Sequence, residues 1–235
     1  MFSTGHFIWL GAFAVAIAVT LFVIKRLNIS QYVIQKTVFV LLLVLKIFHL
    51  SLSLKETSDG GIVINQTQLS FHLCSIVIYM VFIINIIKNE KIIATLKSFM
   101  VPCMLLGAAM ALLIPTEGVD PSVPRVWQYM LIHATLVFYG LYLMIVEKVD
   151  LSFKAYLTNL KILLGIMLMA FLMNSVLEQY NTNFLFLRKP PMDNLPILNL
   201  NNGWYVYFLT LVAVACVLIF TVHIPYLISR SRAKK

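Results

Sequence analysis

Six polar or ionisable residues fall at nearly one depth when the apolar segments of this sequence are placed across a membrane. They are Lys46, His49, His72, Cys74, His133 and Asn174. Each such group inside a bilayer costs roughly 2.5–3.5 kcal/mol on insertion scales, so a random scatter would not be expected to share one level. A layer that combines a thiol, imidazoles and an ammonium predicts a chemical site rather than a merely polar core.

The thiol of Cys74 is the best nucleophile in this layer. A cysteine nucleophile needs a lowered pKa or an adjacent base, and His133 can supply that base if the third and fifth helices touch. We expect Asn174 or Gln128 to orient the imidazole or to polarise a carbonyl. Lys46 could favour the thiolate or bind an anionic headgroup. The remaining supporting candidates are His6, His49 and His72.

Each of these residues also has a structural interpretation. A lone cysteine in a span is usually a small packing residue, and a span histidine is often hydrogen-bonded between helices. Lys46 could extend its ammonium toward the headgroups. The cysteines are Cys74, Cys103 and Cys216, and no CxxC or Cys/His spacing accompanies them. We therefore expect no metal, no cofactor and no disulfide framework.

The composition is that of a membrane protein. Apolar residues make up 61% of the 235 residues and charged residues only 11%, whereas soluble domains average about 45–50% and about 25%. The length suits a single integral membrane domain, residues 1–235. The net charge of +9 lies in short loops, where it indicates membrane orientation rather than a nucleic-acid partner.

Seven apolar segments predict an all-α, polytopic helical bundle. Each approaches the ~20 residues that a transmembrane helix needs. Their bounds are roughly 6–24, 33–54, 69–87, 92–114, 126–146, 157–177 and 204–228. Pro102 is predicted to kink the fourth segment, and Lys161 makes the sixth the least apolar.

The basic residues predict the orientation. Connections one, three and five and the C-terminus carry Lys25, Arg26, Lys88, Lys91, Lys148, Lys154, Arg230, Arg232, Lys234 and Lys235. The opposite side carries only Lys55, Arg125, Arg188 and Lys189. The positive-inside rule then puts the N-terminus outside and the C-terminus in the cytoplasm. We expect a multi-pass protein of the plasma membrane, which in a bacterium is the cytoplasmic membrane. Trp127, Trp204, Tyr205 and Tyr207 fit an outer aromatic belt.

The outer connections carry further information. Residues 115–125 contain prolines and a glycine and predict an ordered, turn-rich loop. Residues 178–203 are too apolar for a linker, so we expect them to fold back over the outer mouth or to lie among the headgroups. Arg188 and Lys189 are positive on the wrong side, which favours binding of a phosphate or carboxylate headgroup. The alternative is that they meet leaflet phosphates generally or pair with Asp193 or Glu178. Asn65–Thr67 also matches a glycosylation acceptor.

Four blocks of sequence resemble a known family. They are FSTGHF (2–7), SFHLCSI (70–76), QYMLIHATLVFYGLYL (128–143) and NFLFLRKPP (183–191). They resemble the bacterial branch of the integral membrane acyltransferase family related to transmembrane protein 164. The resemblance implies a phospholipid acyltransferase whose cysteine and histidine fall on Cys74 and His133. A more distant similarity to intramembrane threonine–histidine lipid hydrolases leaves hydrolysis open.

Three functional hypotheses follow. The first is a lipid acyltransferase, with a phospholipid or lysophospholipid as its partner, in which Cys74 forms a thioester and His133 is the base; with water as the acceptor it is a hydrolase. The second is a small-molecule or ion transporter, for which the inner-half polar residues Asn85, Lys97 and Lys161 form no continuous track. The third is a scaffold whose polar layer only joins helices. The sequence leaves the oligomeric state open.

Overall fold

The chain forms a bundle of apolar helices. The computed structural model describes residues 3–56, 62–64, 69, 71–191, 195 and 197–232. The helices are α1 (Thr4–Leu27), α2 (Gln31–Leu52), α3 (Leu73–Ile84), α4 (Glu90–Leu113), α5 (Pro124–Glu147), α6 (Phe153–Val176) and α7 (Trp204–Arg232). All except α3 are long and apolar enough to cross a membrane. The predicted all-α polytopic bundle is therefore confirmed. The glycosylation match at 65–67, Asp193, Lys234 and Lys235 lie outside the described residues.

Short polar side chains begin four of these helices. Ser3 accepts a hydrogen bond from the His6 amide at 3.3 Å, and Ser30, Asn89 and Ser152 cap α2, α4 and α6 in the same way. Such a cap satisfies a backbone N–H that has no partner inside the helix. These caps place the helix starts within a few residues of the predicted edges.

The third predicted segment, 69–87, is wrong in length. Helix α3 has only 12 residues, which is about 18 Å at 1.5 Å per residue. His72 is extended and precedes the helix, and Asn85 follows its last residue. The chain before it contains a hairpin that apolarity did not predict, in which β1 (Leu54–Glu56) pairs antiparallel with β2 (Ile62–Ile64). The β-branched residues of β2 favour an extended strand.

The predicted irregularity at Pro102 is present as a change of helix type. After Pro102 the backbone of α4 is π-helical over Cys103–Ala108 and returns to α-helical over Ala109–Leu113. Proline has no N–H, so the carbonyl of Ser98 loses its usual donor four residues on. The Asn159 amide donates to that carbonyl at 3.2 Å. A side chain of α6 thus replaces the missing backbone bond, and α4 continues across the membrane.

The π-helical segment Cys103–Ala108 lies at the centre of the bundle, because it packs against both α3 and α5. The contact between α4 and α5 is close at Gly140, where an added Cβ would lie 2.9 Å from the Met104 Cβ. A residue larger than glycine would force these helices apart there. This contact fixes the relative height of α4 and α5.

The loop after α4 is ordered and turn-rich, as predicted. Gly118 has a φ of +82°, which glycine adopts without strain. The Ser122 amide donates to the Asp120 carboxylate at 2.9 Å, and this backbone hydrogen bond lowers the pKa of Asp120. The Trp127 indole donates to the Pro121 carbonyl at 2.7 Å. The loop is therefore fixed at the start of α5.

The described residues of the loop 178–203 fold back onto the bundle, which confirms that part of the prediction. Phe184 and Leu187 are each only 1% exposed. The Trp204 indole donates to the Leu187 carbonyl at 2.9 Å, and the Tyr207 hydroxyl donates to the Phe186 carbonyl. Tyr207 is 1% exposed, so its assignment to an aromatic belt is wrong: its hydroxyl anchors the loop instead.

Candidate functional site

The candidate site lies toward one end of the bundle. This end carries the β-hairpin, the loop 114–123 and the loop 178–203, and we call it the outer end because the charge pattern predicts that it faces outside. The other end, which carries the connections 28–30, 85–89 and 148–152, is the inner end.

Cys74 is the second residue of α3 and follows the extended His72. The Sγ atom lies 3.7 Å from the place that a Cβ of Gly107 would occupy, and Leu73 also contacts this place. The thiol therefore rests against the π-helical segment of α4. Cys74 is partly exposed. Cys103, which lies four residues before Gly107 on α4, is buried.

His133 on α5 has the protonation pattern of a general base. Its Nδ1 lies 2.7 Å from the carbonyl oxygen of Tyr129. A carbonyl can only accept, so Nδ1 carries the proton of the neutral ring and the lone pair is on Nε2. Among the described residues this is the one hydrogen bond of the His133 side chain. Nε2 is consequently available to take a proton.

The height of His133 relative to Cys74 follows from the Gly140–Met104 contact. His133 lies seven residues outward of Gly140, and Gly107 lies three residues outward of Met104. At 1.5 Å per residue these offsets are about 10 Å and about 4.5 Å, so the backbone at His133 is about 6 Å outward of Gly107. The thiol makes no hydrogen bond to His133 in the described part of the chain, and such bonds often form only with substrate bound. The backbone of His133 lies nearer the outer end than Gly107, against which the thiol rests.

Tyr129 contacts His133, and the sequence interpretation missed it. Its ring centroid lies 4.2 Å from that of His133, and its hydroxyl donates to the Ala111 carbonyl at 3.1 Å. The hydroxyl therefore binds α4, the helix against which the Cys74 thiol rests. The spacing of four residues between Tyr129 and His133 is the sequence signal that could have indicated their contact.

Asn174 and His72 both contact the loop 178–203, which packs over the start of α3. The Asn174 amide donates to the Phe184 carbonyl at 3.0 Å and accepts from the Phe184 N–H at 2.7 Å. Both polar atoms of Asn174 therefore bind loop backbone, and the structure does not bring Asn174 to His133. The His72 ring lies 5.5 Å from the Phe184 ring and 5.7 Å from the Phe186 ring. The loop thus packs directly over the residue that begins α3.

The other predicted supporting residues join helices. Gln128 accepts from His49 Nδ1 at 3.4 Å, so its amide oxygen orients His49 rather than His133. His6 donates through Nε2 to the Leu112 carbonyl at 2.8 Å. The Lys46 ammonium lies 5.7 Å from the centre of the Tyr79 ring, a cation–π contact. Tyr79 is five residues after Cys74 on α3, about 7.5 Å further inward, so this contact lies inward of the thiol.

Arg188 lines a cavity of about 290 Å³ at the outer end. The cavity is lined by Phe171, Asn174, Ser175, Glu178, Arg188 and Trp204. The Arg188 guanidinium forms an ion pair with Glu178 in which both side chains are partly or largely exposed. This contact is the loop-fixing alternative that the sequence left open. Lys189 is exposed, and its backbone binds Asn183.

No three His, Cys, Asp or Glu side chains in the described ranges could hold a metal ion together.

No curated protein and no solved structure matches the chain significantly. The model of the TMEM164 family matches residues 1–223, which is nearly the whole sequence. The chain is therefore a multi-pass membrane protein that belongs to the TMEM164 family.

Proposed function

We propose that the protein is a membrane lipid acyltransferase that works through a thioester on Cys74 with His133 as general base and acid. The observation that carries this proposal is the tautomer of His133. Its Nδ1–H is bound to the Tyr129 carbonyl, so Nε2 can accept a proton. The same tyrosine packs its ring against the imidazole, and its hydroxyl binds α4, the helix against which the thiol rests.

The reaction has two halves. In the first, the Cys74 sulfur attacks the carbonyl carbon of a phospholipid ester, a C–S bond forms, and the C–O bond to the glycerol oxygen breaks. The thiol proton passes to His133 Nε2, directly or through one water, and then to the leaving oxygen. The outward position of His133 suits this step because the glycerol oxygen lies on the headgroup side. In the second half a lysophospholipid hydroxyl attacks the thioester, its proton passes through His133, and the thiol is restored.

The inner half of the bundle favours lipid chemistry over transport. Met100 and Met104 are at most 1% exposed and lie inward of Gly107 on α4. Beyond them the Lys97 ammonium binds Glu147 at 2.7 Å. Along α4, two buried methionines therefore lie between Gly107, against which the thiol rests, and this ion pair. A substrate that enters from the outer leaflet and stays there is consistent with this arrangement.

Acyl exchange on labelled phospholipid tests the proposal. Cys74→Ala and His133→Ala should each reduce exchange by orders of magnitude, because a nucleophile and its base act as one unit. Intact-protein mass spectrometry should show an acyl adduct on Cys74 in the native protein. Cys216→Ala is the matched control and should keep its activity, since Cys216 lies on α7, away from this group.

Wild-type activity in Cys74→Ala protein would refute the nucleophile assignment. The products separate the two lipid reactions: transfer yields a newly acylated lipid, whereas hydrolysis yields free fatty acid. Full activity in His133→Ala protein with the Cys74 adduct still present would assign the base to another residue.

Headgroup binding is the proposed role of Arg188, with Lys189 beside it. A guanidinium at the rim of the outer cavity can bind a phosphate or carboxylate through two hydrogen bonds. Arg188→Gln should then raise the apparent KM more for an anionic phosphatidylglycerol than for a neutral diacylglycerol. Glu178→Gln is the matched variant, because it breaks the same ion pair and leaves the guanidinium in place. An equal loss for both lipids, reproduced by Glu178→Gln, would assign Arg188 to loop structure alone.

A further inference from the structure

His6 is a buried polar residue on a helix that otherwise lies at the periphery of the bundle. Among the residues of α1, only His6 and Ile24 are buried, and His6 is 0% exposed. Burial of an imidazole is costly unless a hydrogen bond compensates for it. The bond that His6 makes is therefore the feature to explain where α1 meets the bundle.

That bond lies at the end of α4, whose last helical residue is Leu113. The final carbonyls of a helix have no backbone donor within the helix. Side chains of two other helices bind two consecutive ones here. The Tyr129 hydroxyl of α5 donates to the Ala111 carbonyl at 3.1 Å, and Nε2 of His6 donates to the Leu112 carbonyl at 2.8 Å.

The two bonds are coupled through the backbone of α4. Without His6, the buried Leu112 carbonyl would lose this donor, which is costly. The last turn of α4 would then shift toward another donor, and the neighbouring Ala111 carbonyl would move with it. That carbonyl holds the hydroxyl of Tyr129, whose ring lies 4.2 Å from the ring of His133. A shift at the end of α4 therefore reaches the imidazole.

We propose that His6 is a positioning residue of the acyl-transfer site, which caps α4 and thereby holds Tyr129 and His133 in place. This inference rests on the proposed function, because it takes His133 as the general base. Ser3 supports the same arrangement, since its hydroxyl accepts the His6 N–H at 3.3 Å and fixes the start of α1. The FSTGHF block thereby gains a role at a site far from it in sequence.

Steady-state kinetics of acyl transfer test the proposal. His6→Ala removes the donor and should lower kcat by roughly 10-fold with KM nearly unchanged, because small misplacements of a catalytic group have effects of this size. His6→Gln places an amide N–H near the position of Nε2 and should restore most of kcat. Trp9→Phe is the matched control on α1, because the Trp9 indole donates to the Val119 carbonyl at 3.2 Å and not to α4. Its kcat should equal that of the native protein.

A double variant shows whether the effect passes through Tyr129. If it does, His6→Ala combined with Tyr129→Phe should have the same kcat as Tyr129→Phe alone, because the second change breaks a link that is already lost. Losses that multiply would overturn this route. A native kcat in His6→Ala protein would overturn the positioning role itself.

The ¹⁵N signals of the His133 ring, in protein labelled with ¹⁵N-histidine, provide a readout that does not depend on catalysis. Nδ1 carries the proton in the native protein, and His6→Ala should give a mixture of tautomers. Unchanged ring signals would overturn the role of His6. Absence of acyl transfer by the native protein would overturn the proposed function, and the ring signals would still decide the role of His6. If His6→Ala does not fold, His6→Asn replaces it, because its shorter amide does not reach the Leu112 carbonyl, and the same changes are expected.

Discussion

The imidazole of His133 has one nitrogen bound to its own helix, through the carbonyl of Tyr129. In a regular helix the same carbonyl also accepts the backbone N–H four residues further on. A carbonyl oxygen has two lone pairs, one for each donor. The ring of Tyr129 packs against the imidazole at a tilt of 44°, and its hydroxyl binds the Ala111 carbonyl on α4. Rotation of His133 is thereby limited by two contacts with one residue.

Removal of the Tyr129 hydroxyl tests this arrangement. Tyr129→Phe keeps the ring and the backbone carbonyl but frees the ring from α4, so the imidazole should be less well placed. We expect kcat to fall by about 10- to 100-fold with KM nearly unchanged, because small misplacements of a catalytic group have effects of this size. Steady-state kinetics of acyl transfer provide the measurement. Tyr205→Phe, at a side chain that is 78% exposed, should behave as the native protein. A kcat equal to that of the native protein in Tyr129→Phe would show that the ring contact and the backbone hydrogen bond hold His133 without the hydroxyl.

At the residue scale, the sequence alone indicated some residues of the candidate site but not the partners of the others. Cys74 and His133 could be proposed because polar groups are costly inside a bilayer. The six residues do not share one level, since His133 lies outward of Gly107 and the Lys46–Tyr79 contact lies inward of the thiol. The partners of Asn174 and Gln128 could not be chosen, because an amide at the right depth can bind any neighbour. Gly107 gave no signal at all, since a glycine in an apolar run is indistinguishable from a packing residue.

At the scale of elements, the clamp between α6 and the loop 178–203 decides how the site is covered. Asn174 uses both atoms of its amide on the backbone of Phe184. Phe184 is buried, so without Asn174 its N–H would have no partner there, and its carbonyl would keep only the Leu187 N–H at 3.3 Å. The loop in turn places two phenylalanine rings against His72. The clamp therefore connects the sixth helix to the start of α3.

Asn174→Ala should destabilise the protein by about 1–3 kcal/mol, the usual cost of an unsatisfied buried polar group. Thermal unfolding in detergent and protease cleavage within 183–187 should both show the change. Ser175→Ala is the neighbouring control, because the Ser175 hydroxyl bonds only the Phe171 carbonyl within its own helix. Equal stability of the two variants would show that the loop is held by its apolar contacts alone.

The whole molecule carries its positive charge asymmetrically, and that asymmetry predicts its orientation. Single cysteines introduced into the loops 53–72, 114–123 and 178–203, on a background without native cysteines, should react with an impermeant maleimide in intact cells. A cysteine after Arg230 should react only after lysis, since the C-terminus is predicted to be cytoplasmic. Labelling of the tail in intact cells would place the candidate site on the cytoplasmic side.

The number and order of the helices followed from hydropathy, because each apolar segment must satisfy its own backbone in lipid. The length of α3 did not follow, since hydropathy cannot show where a chain leaves the helix for a covering loop. The contact of α3 and α5 with one π-helical segment also depends on packing between distant parts of the chain. Local sequence therefore predicts the helices better than it predicts which helices pack against each other.

The shortness of α3 has a consequence for the lipid around it. A helix of 12 residues is far shorter than a hydrocarbon layer of about 30 Å, and bilayers respond to such hydrophobic mismatch by local thinning. Leaflet thinning beside α3 would bring the ester region of a neighbouring lipid down toward the first turn of this helix, where Cys74 lies. A lipid could then present its carbonyl to the thiol while its chains remain in the leaflet.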